Sequence, residues 1–214
     1  MLVATGLVTV PGAAAAGFVD WAQLHPGQKR VGAVHAAANV VGSGLLAASL
    51  VARLRGRHGR GRLLGLLGVA VAGASAGVGG HLSYRFAAGA NHAEDVPHLV
   101  PGEWTGIGVL DDLPDRAPAR RSVGGTPVVV VRTGADVRVL ADACSHLSGP
   151  LSDGQVTTAG GADCVVCPWH GSVFRLDDGA VVHGPATAPA PVFDVRVVGR
   201  RVSVRLRASS ALTA

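Results

Sequence analysis

Cys144-Ser-His146-Leu-Ser-Gly149-Pro-Leu-Ser-Asp-Gly154 and Cys167-Pro-Trp-His170-Gly-Ser172-Val-Phe174 decide how the C-terminal half of this chain is read. Each segment pairs one thiol with one imidazole, in the pattern C-x-H-x20-C-x2-H. Soft thiolate and borderline imidazole suit iron or zinc. Two metal chemistries follow. In a 2Fe-2S cluster of mixed ligation two thiolates hold one iron and two neutral imidazoles the other, which raises the reduction potential over an all-Cys cluster. In a Cys2His2 zinc site all four side chains surround one structural ion. Zinc fingers usually group Cys with Cys and His with His around a helix, whereas each loop here supplies one of each, so the cluster is the favoured expectation. Both loops contain Gly and Pro, Gly149-Pro150 after His146 and Pro168 with Gly171 around His170, a composition of tight turns whose backbone N–H groups can point at sulfur.

The flanks read as β. Residues 126–132 (T-P-V-V-V-V-R) and 137–140 are β-branched runs separated by Thr-Gly-Ala-Asp, a hairpin signal, and residues 192–206 alternate around a second Gly turn. Short strands at this spacing predict a small antiparallel sandwich or barrel with the ligand loops at one end. The third cysteine, Cys164, lies in the strand-like run Cys-Val-Val and reads as a buried, inert thiol rather than a ligand or a redox partner of Cys167. His183 lies outside both loops and reads as a surface strand residue.

With these motifs residues 104–206 resemble a bacterial Rieske ferredoxin domain. The resemblance rests on the C-x-H and C-x2-H loops, the run Gly149-Pro-Leu-Ser-Asp-Gly154, the run Cys167 to Phe174 and the turn Asp177-Asp178-Gly179. It implies that Cys144 and Cys167 bind an inner ferric iron, and His146 and His170 an outer, reducible iron near solvent. The polar stretch 157–163 is the expected insertion. High-potential members of this family carry a disulfide between the loops, but the matching positions here are Gly149 and Trp169. They also carry a serine and a tyrosine hydroxyl donating to cluster sulfur. Ser172 stands at the serine position and Phe174 at the tyrosine position. Fewer donors to sulfur place the expected potential in the lower part of the family's span of about −150 to +300 mV. The resemblance is thus to an oxygenase-type ferredoxin more than to a quinol-oxidising subunit.

The first hundred residues differ in kind. Residues 2–19, 31–52 and 63–84 contain no Asp, Glu, Lys or Arg, and the latter two runs are 22 residues each. At 1.5 Å per residue that length crosses a hydrocarbon core of about 30 Å. Three membrane spans are expected, rich in small residues such as Gly42-Ser-Gly44 and Gly73-x-x-x-Gly77 that permit close helix approach. A signal peptide is the rival for the first span, but Met1-Leu-Val lacks a basic start and Pro11-Gly12 interrupts the apolar run. The net charge of +5 is partly a membrane signature: Arg53, Arg55, Arg57, Arg60 and Arg62 crowd the connection between the second and third spans. Read as a cytoplasmic loop rather than a nucleic-acid patch, this cluster predicts an N-terminus inside and the β domain on the outer face.

This half resembles an uncharacterised bacterial membrane-domain family of unknown role, sometimes fused to Rieske domains. The matching stretches are V-P-G-A-A-A-A-G-F-V-D-W before the first turn, Val34-His35-Ala-Ala-Ala-Asn39, and Gly79-Gly80-His81-Leu-Ser-Tyr84-Arg-Phe. Members usually carry a further N-terminal helix with a His-Pro motif, so the expectation is a domain lacking its first helix. Antiparallel spans bring Asp20, His35, Asn39 and His81 to one membrane face. Intramembrane ionisable groups imply function, and His35 with His81 could ligate a haem b, hold a quinone head group, or hydrogen-bond between helices.

The expected architecture is α and β in separate domains: a transmembrane helical bundle at 1–86, a hinge-like linker at 87–103, the all-β Rieske-type domain at 104–206 and a tail at 207–214. The expected function is a multi-pass, membrane-anchored protein of the bacterial cell membrane, passing single electrons between a donor and an acceptor, either proteins or quinone. It is read as an electron carrier or oxidoreductase component rather than a stand-alone enzyme. The alternatives are a subunit of a quinol-oxidising or oxygenase complex, and a membrane protein with structural zinc. A catalytic oxygenase subunit would need a second, mononuclear iron site of two His and a carboxylate in a large domain, for which the chain has no room. The lipid bilayer is an expected partner and nucleic acid is not.

Overall fold

The computed structural model describes residues 2–208, so that Met1 and most of the expected tail, 209–214, lie outside the described residues. The chain divides into two compact units between Gly89 and Ala90.

The first unit consists of α1 (Leu2–Ala22), α2 (Pro26–Leu54) and α3 (His58–Tyr84), each long and apolar enough to cross a membrane. Helix α1 continues past Pro11, so the proline that interrupts the apolar pattern does not end the helix. Helices α2 and α3 pack through small residues. The buried Gly42 of α2 faces the backbone of Gly68 and Ala72, and a Cβ on Gly68 would fall 2.9 Å from Leu46. Small residues at the contact permit this close approach of the two backbones. The five-arginine segment is more helical than its sequence suggests: only Arg55, Gly56 and Arg57 separate α2 from α3. Ser49, fully buried, donates from Oγ to the Gly61 carbonyl (2.6 Å) and ties the two helix ends together.

The second unit is β. Strands β1 (Thr105–Val109), β2 (Pro118–Val123), β3 (Thr126–Thr133), β4 (Asp136–Ala141), β9 (Val192–Val198) and β10 (Arg201–Leu206) form an antiparallel sheet in the order β1-β10-β9-β4-β3-β2. Its outer strands β1 and β2 approach one another, so the sheet curls into a nearly closed barrel. A second antiparallel sheet holds β5 (Gln155–Ala159), β6 (Ala162–Val166), β7 (Val173–Arg175) and β8 (Val181–His183) in sequential order. Both expected hairpins form, β3–β4 turning at Gly134 (φ 64°) and β9–β10 at Gly199 (φ 60°). The polar insertion becomes the β5–β6 hairpin.

Val128-Val-Val-Val131 does not alternate with polar residues because both faces of β3 are covered. Val128 and Val130 enter one core with Val139, Phe193, Val202 and Val204. Val129 and Val131 enter another with Leu140, Leu151, Val165, Phe174, Cys144 and Cys167. Each fully buried large side chain contributes about 1.5–3 kcal/mol, and the second of these cores seats the thiols. Part of the stretch read as a linker also belongs here. Ala93 and Val96 are buried in the first core, and a short turn of helix, α4, covers Val96–Leu99. The segment before β1 therefore packs on the barrel over these residues, where the sequence reading had a hinge.

Candidate metal centre

Two loops carry the predicted ligands, one leaving β4 and one leaving β6, and their hydrogen-bond patterns are the same. In the first, the Cys144 N–H donates to the Gly149 carbonyl (2.9 Å) and the Ser148 N–H to the Cys144 carbonyl (2.8 Å). In the second, the Cys167 N–H donates to the Ser172 carbonyl (2.8 Å) and the Gly171 N–H to the Cys167 carbonyl (3.1 Å). The fifth residue of each loop, Ser148 (φ 61°) and Gly171 (φ 75°), takes the left-handed conformation that reverses the chain. Each loop thus turns back on its own cysteine.

The loops bring the four predicted ligands to one place. The imidazoles of His146 and His170 lie edge to face with ring centroids 5.0 Å apart. Both thiols are buried, Cys144 1% and Cys167 2% exposed. Burial pushes the Cys144 thiol above its ordinary pKa, while the His146 backbone N–H and the Ser172 hydroxyl pull the other way by hydrogen-bonding its sulfur. His146 Nδ1 is buried and has no hydrogen-bond partner among the described residues. A buried ring nitrogen without such a partner, close to two buried cysteines, is a donor set suited to a metal. These residues fit a bound metal cluster.

Comparison with known proteins bears on the same segment. Residues 103–195 match the family model for the Rieske 2Fe-2S domain. The anthranilate 1,2-dioxygenase ferredoxin subunit of Burkholderia cepacia is 34% identical over 104 residues, 49% of this chain and 93% of that protein. This chain belongs to the Rieske family. The ferredoxin CarAc of Metapseudomonas resinovorans is 35% identical over 75 residues, 35% of this chain and 66% of that one. Among solved structures, the ferredoxin of carbazole 1,9a-dioxygenase from Nocardioides aromaticivorans IC177 is 29% identical, with 49% of this chain and 98% of that chain covered and a TM-score of 0.45. The cofactor of the β unit is a Rieske 2Fe-2S cluster.

Several features of the Rieske unit were not expected from sequence. Ser145, between the two ligands of the first loop, is fully buried and donates from Oγ to the Ala188 carbonyl (2.6 Å). Its own carbonyl accepts the His92 N–H (2.9 Å) from the segment before β1. Asp142, 3% exposed, accepts from the Ser152 N–H (2.6 Å) and hydroxyl (2.9 Å) and faces the Arg120 guanidinium at 3.3 Å. A third segment, 184–190, completes the surround, since the Ala186 N–H donates to Ser172 Oγ (3.0 Å). The run Gly184-Pro-Ala-Thr-Ala-Pro-Ala-Pro191 was the available signal for this wall.

Gly149 and Trp169, where a disulfide would stand, are neighbours: a Cβ on Gly149 would meet the indole at 3.1 Å and Cys167 Sγ at 2.9 Å. Phe174 is fully buried in the core that contains both thiols. Cys164 is buried, its Sγ lies 3.5 Å from the Ala162 carbonyl, and burial raises its pKa, so it carries little thiolate. His183 is exposed on β8.

His35 and His81 do not converge on a shared ligand position. His35 packs against Gly79 and bonds the Ser75 carbonyl through Nδ1 (2.8 Å) and the Asn39 amide through Nε2 (3.0 Å). Two residues beyond Gly79, and so about 200° further around the helix, exposed His81 lies edge-on to Phe86 at 5.2 Å. A haem held between the pair has no support in this arrangement, because helical periodicity turns the second histidine away.

Proposed function

We propose that this protein is a membrane-anchored Rieske ferredoxin in which Cys144 and Cys167 hold the inner iron and His146 and His170 the outer one, and that it relays single electrons between redox partners. The observation that carries the reading is the pairing of the two imidazoles at 5.0 Å on loops whose two thiols are buried. When bound, the cluster supplies a one-electron couple. The protein's own residues fix its surroundings. The His146 N–H and the Ser172 hydroxyl lie toward Cys144 sulfur and stabilise negative charge there. Ser145 and Asp142 hold the first loop in shape. His170 is exposed while the thiols are not, which puts the imidazole side where a partner can approach.

The relative named as the ferredoxin subunit of anthranilate 1,2-dioxygenase supports an oxygenase component as the acceptor. The three long apolar helices support anchoring in a bilayer, and the cluster of arginines around the α2–α3 connection supports an orientation with that end in the cytoplasm. The β unit is then outside.

Full-length protein should stay with membranes after alkaline carbonate washing, take up one electron per cluster on titration, and return it to a one-electron acceptor such as cytochrome c. Release by carbonate would overturn the anchor, and a cluster that does not cycle would overturn the relay. A protease that cannot cross the membrane should cut the β unit in intact cells; cutting only in inverted vesicles would reverse the orientation.

A further inference from the structure

Asn39 stands at hydrocarbon depth on α2 and is exposed. The uncharged run 31–52 is about 32 Å long, and Asn39 lies about 12 Å from its beginning, within a few Å of the middle. An amide there has no water to bond, and lipid offers no substitute.

The surrounding hydrogen bonds fix which end of the amide faces outward. The Ser75 carbonyl can only accept, so His35 Nδ1, 2.8 Å away, carries the ring proton. In the neutral ring Nε2 is then the acceptor, and Asn39 Nδ2 donates to it at 3.0 Å. Ser75 Oγ closes the cluster by donating to the His35 carbonyl (3.1 Å). One N–H of Asn39 is thereby used, while Oδ1 and the second N–H make no hydrogen bond among the described residues. What α2 presents to the membrane is one donor and one acceptor on the same edge of an amide.

We propose that this edge pairs with Asn39 of a second copy of the chain, forming a parallel dimer through α2. Copies inserted in the same orientation are related by an axis along the membrane normal, so each residue meets itself at its own depth. An amide edge is self-complementary: each Oδ1 accepts the free N–H of the other, and two bonds close a ring. Ala36 and Ser43, about one turn to either side of Asn39, are small enough to let two α2 backbones approach. The proposal rests on the membrane-anchored reading.

The test uses the full-length protein in membranes and in detergent. Asn39→Cys should form a 39–39 disulfide dimer under mild oxidation, whereas Val41→Cys, near the same depth but about 200° around the helix, should not. In a dilution series followed by light scattering, Asn39→Val should dissociate at about tenfold higher concentration than wild type, the worth of two interhelical hydrogen bonds. Unchanged helical circular dichroism, with unchanged visible absorbance of the cluster, will show that both units of the variant are folded. A membrane-retained wild type that is monomeric, cross-linking at 41 but not 39, or an Asn39→Val dimer as tight as wild type would each overturn the dimer. Release of the protein by carbonate would instead remove the anchor reading itself.

Discussion

Gly149→Ala should expel or distort the cluster although it adds a single methyl group. An ideal Cβ at position 149 would sit 2.9 Å from Cys167 Sγ and 3.1–3.2 Å from the Trp169 ring, against 3.4–4 Å for ordinary contact. The sulfur would have to retreat by about 0.5 Å, beyond the roughly 0.2 Å that metal–ligand distances tolerate. The first loop cannot yield instead, because the Gly149 carbonyl accepts the Cys144 N–H and Ala143 bridges Pro150. Overpacking of this kind costs about 1–3 kcal/mol in a close-packed site. Iron content per protein and the visible spectrum read the effect, with Gly160→Ala in the β5–β6 turn as the comparison. Gly160 has φ 59° and open space around it, so that change costs about 1 kcal/mol of backbone strain and leaves iron content intact. Equal iron content in both variants would refute the assignment of position 149 to the cluster wall.

The remaining predictions concern potential and thiol chemistry. Ser172→Ala should lower the midpoint by about 40 mV, the one-electron equivalent of a hydrogen bond worth about 1 kcal/mol to the reduced centre, and Phe174→Tyr should raise it; an unchanged potentiometric titration in both would place these side chains away from the sulfurs. With its pKa raised by burial, Cys164 should stay neutral through pH 8 and resist iodoacetamide in the folded protein, with Cys164→Ser keeping full cluster content. Rapid alkylation or loss of iron would contradict the inert reading.

The ligand loops were legible because their chemistry is local: thiol, imidazole and turn-forming residues all lie within a few positions of one another. Both long hairpins were legible for the same reason, as Gly134 and Gly199 mark their turns. What fixes the loops from outside was not. Ser145 looks like any turn serine until the carbonyl of Ala188, 43 residues away, accepts its hydrogen bond, and Asp142 reveals its role only when Ser152 and Arg120 converge on it. The segment at 87–103 misled because acid, Gly and Pro read as solvated chain, yet Ala93 and Val96 drop into the barrel core. His35 and His81 misled for a different reason. Antiparallel topology placed them at one end of the bundle, but whether two side chains meet depends on rotation about each helix axis, which a run of Gly and Ala does not specify.

The most direct test of the central claim is pulsed electron paramagnetic resonance of the reduced full-length protein labelled with 15N-histidine. Ligation by Cys144, His146, Cys167 and His170 predicts a rhombic signal of low average g, with two strongly coupled histidine nitrogens. A colourless, zinc-containing protein, or a reduced cluster without histidine coupling, would contradict it.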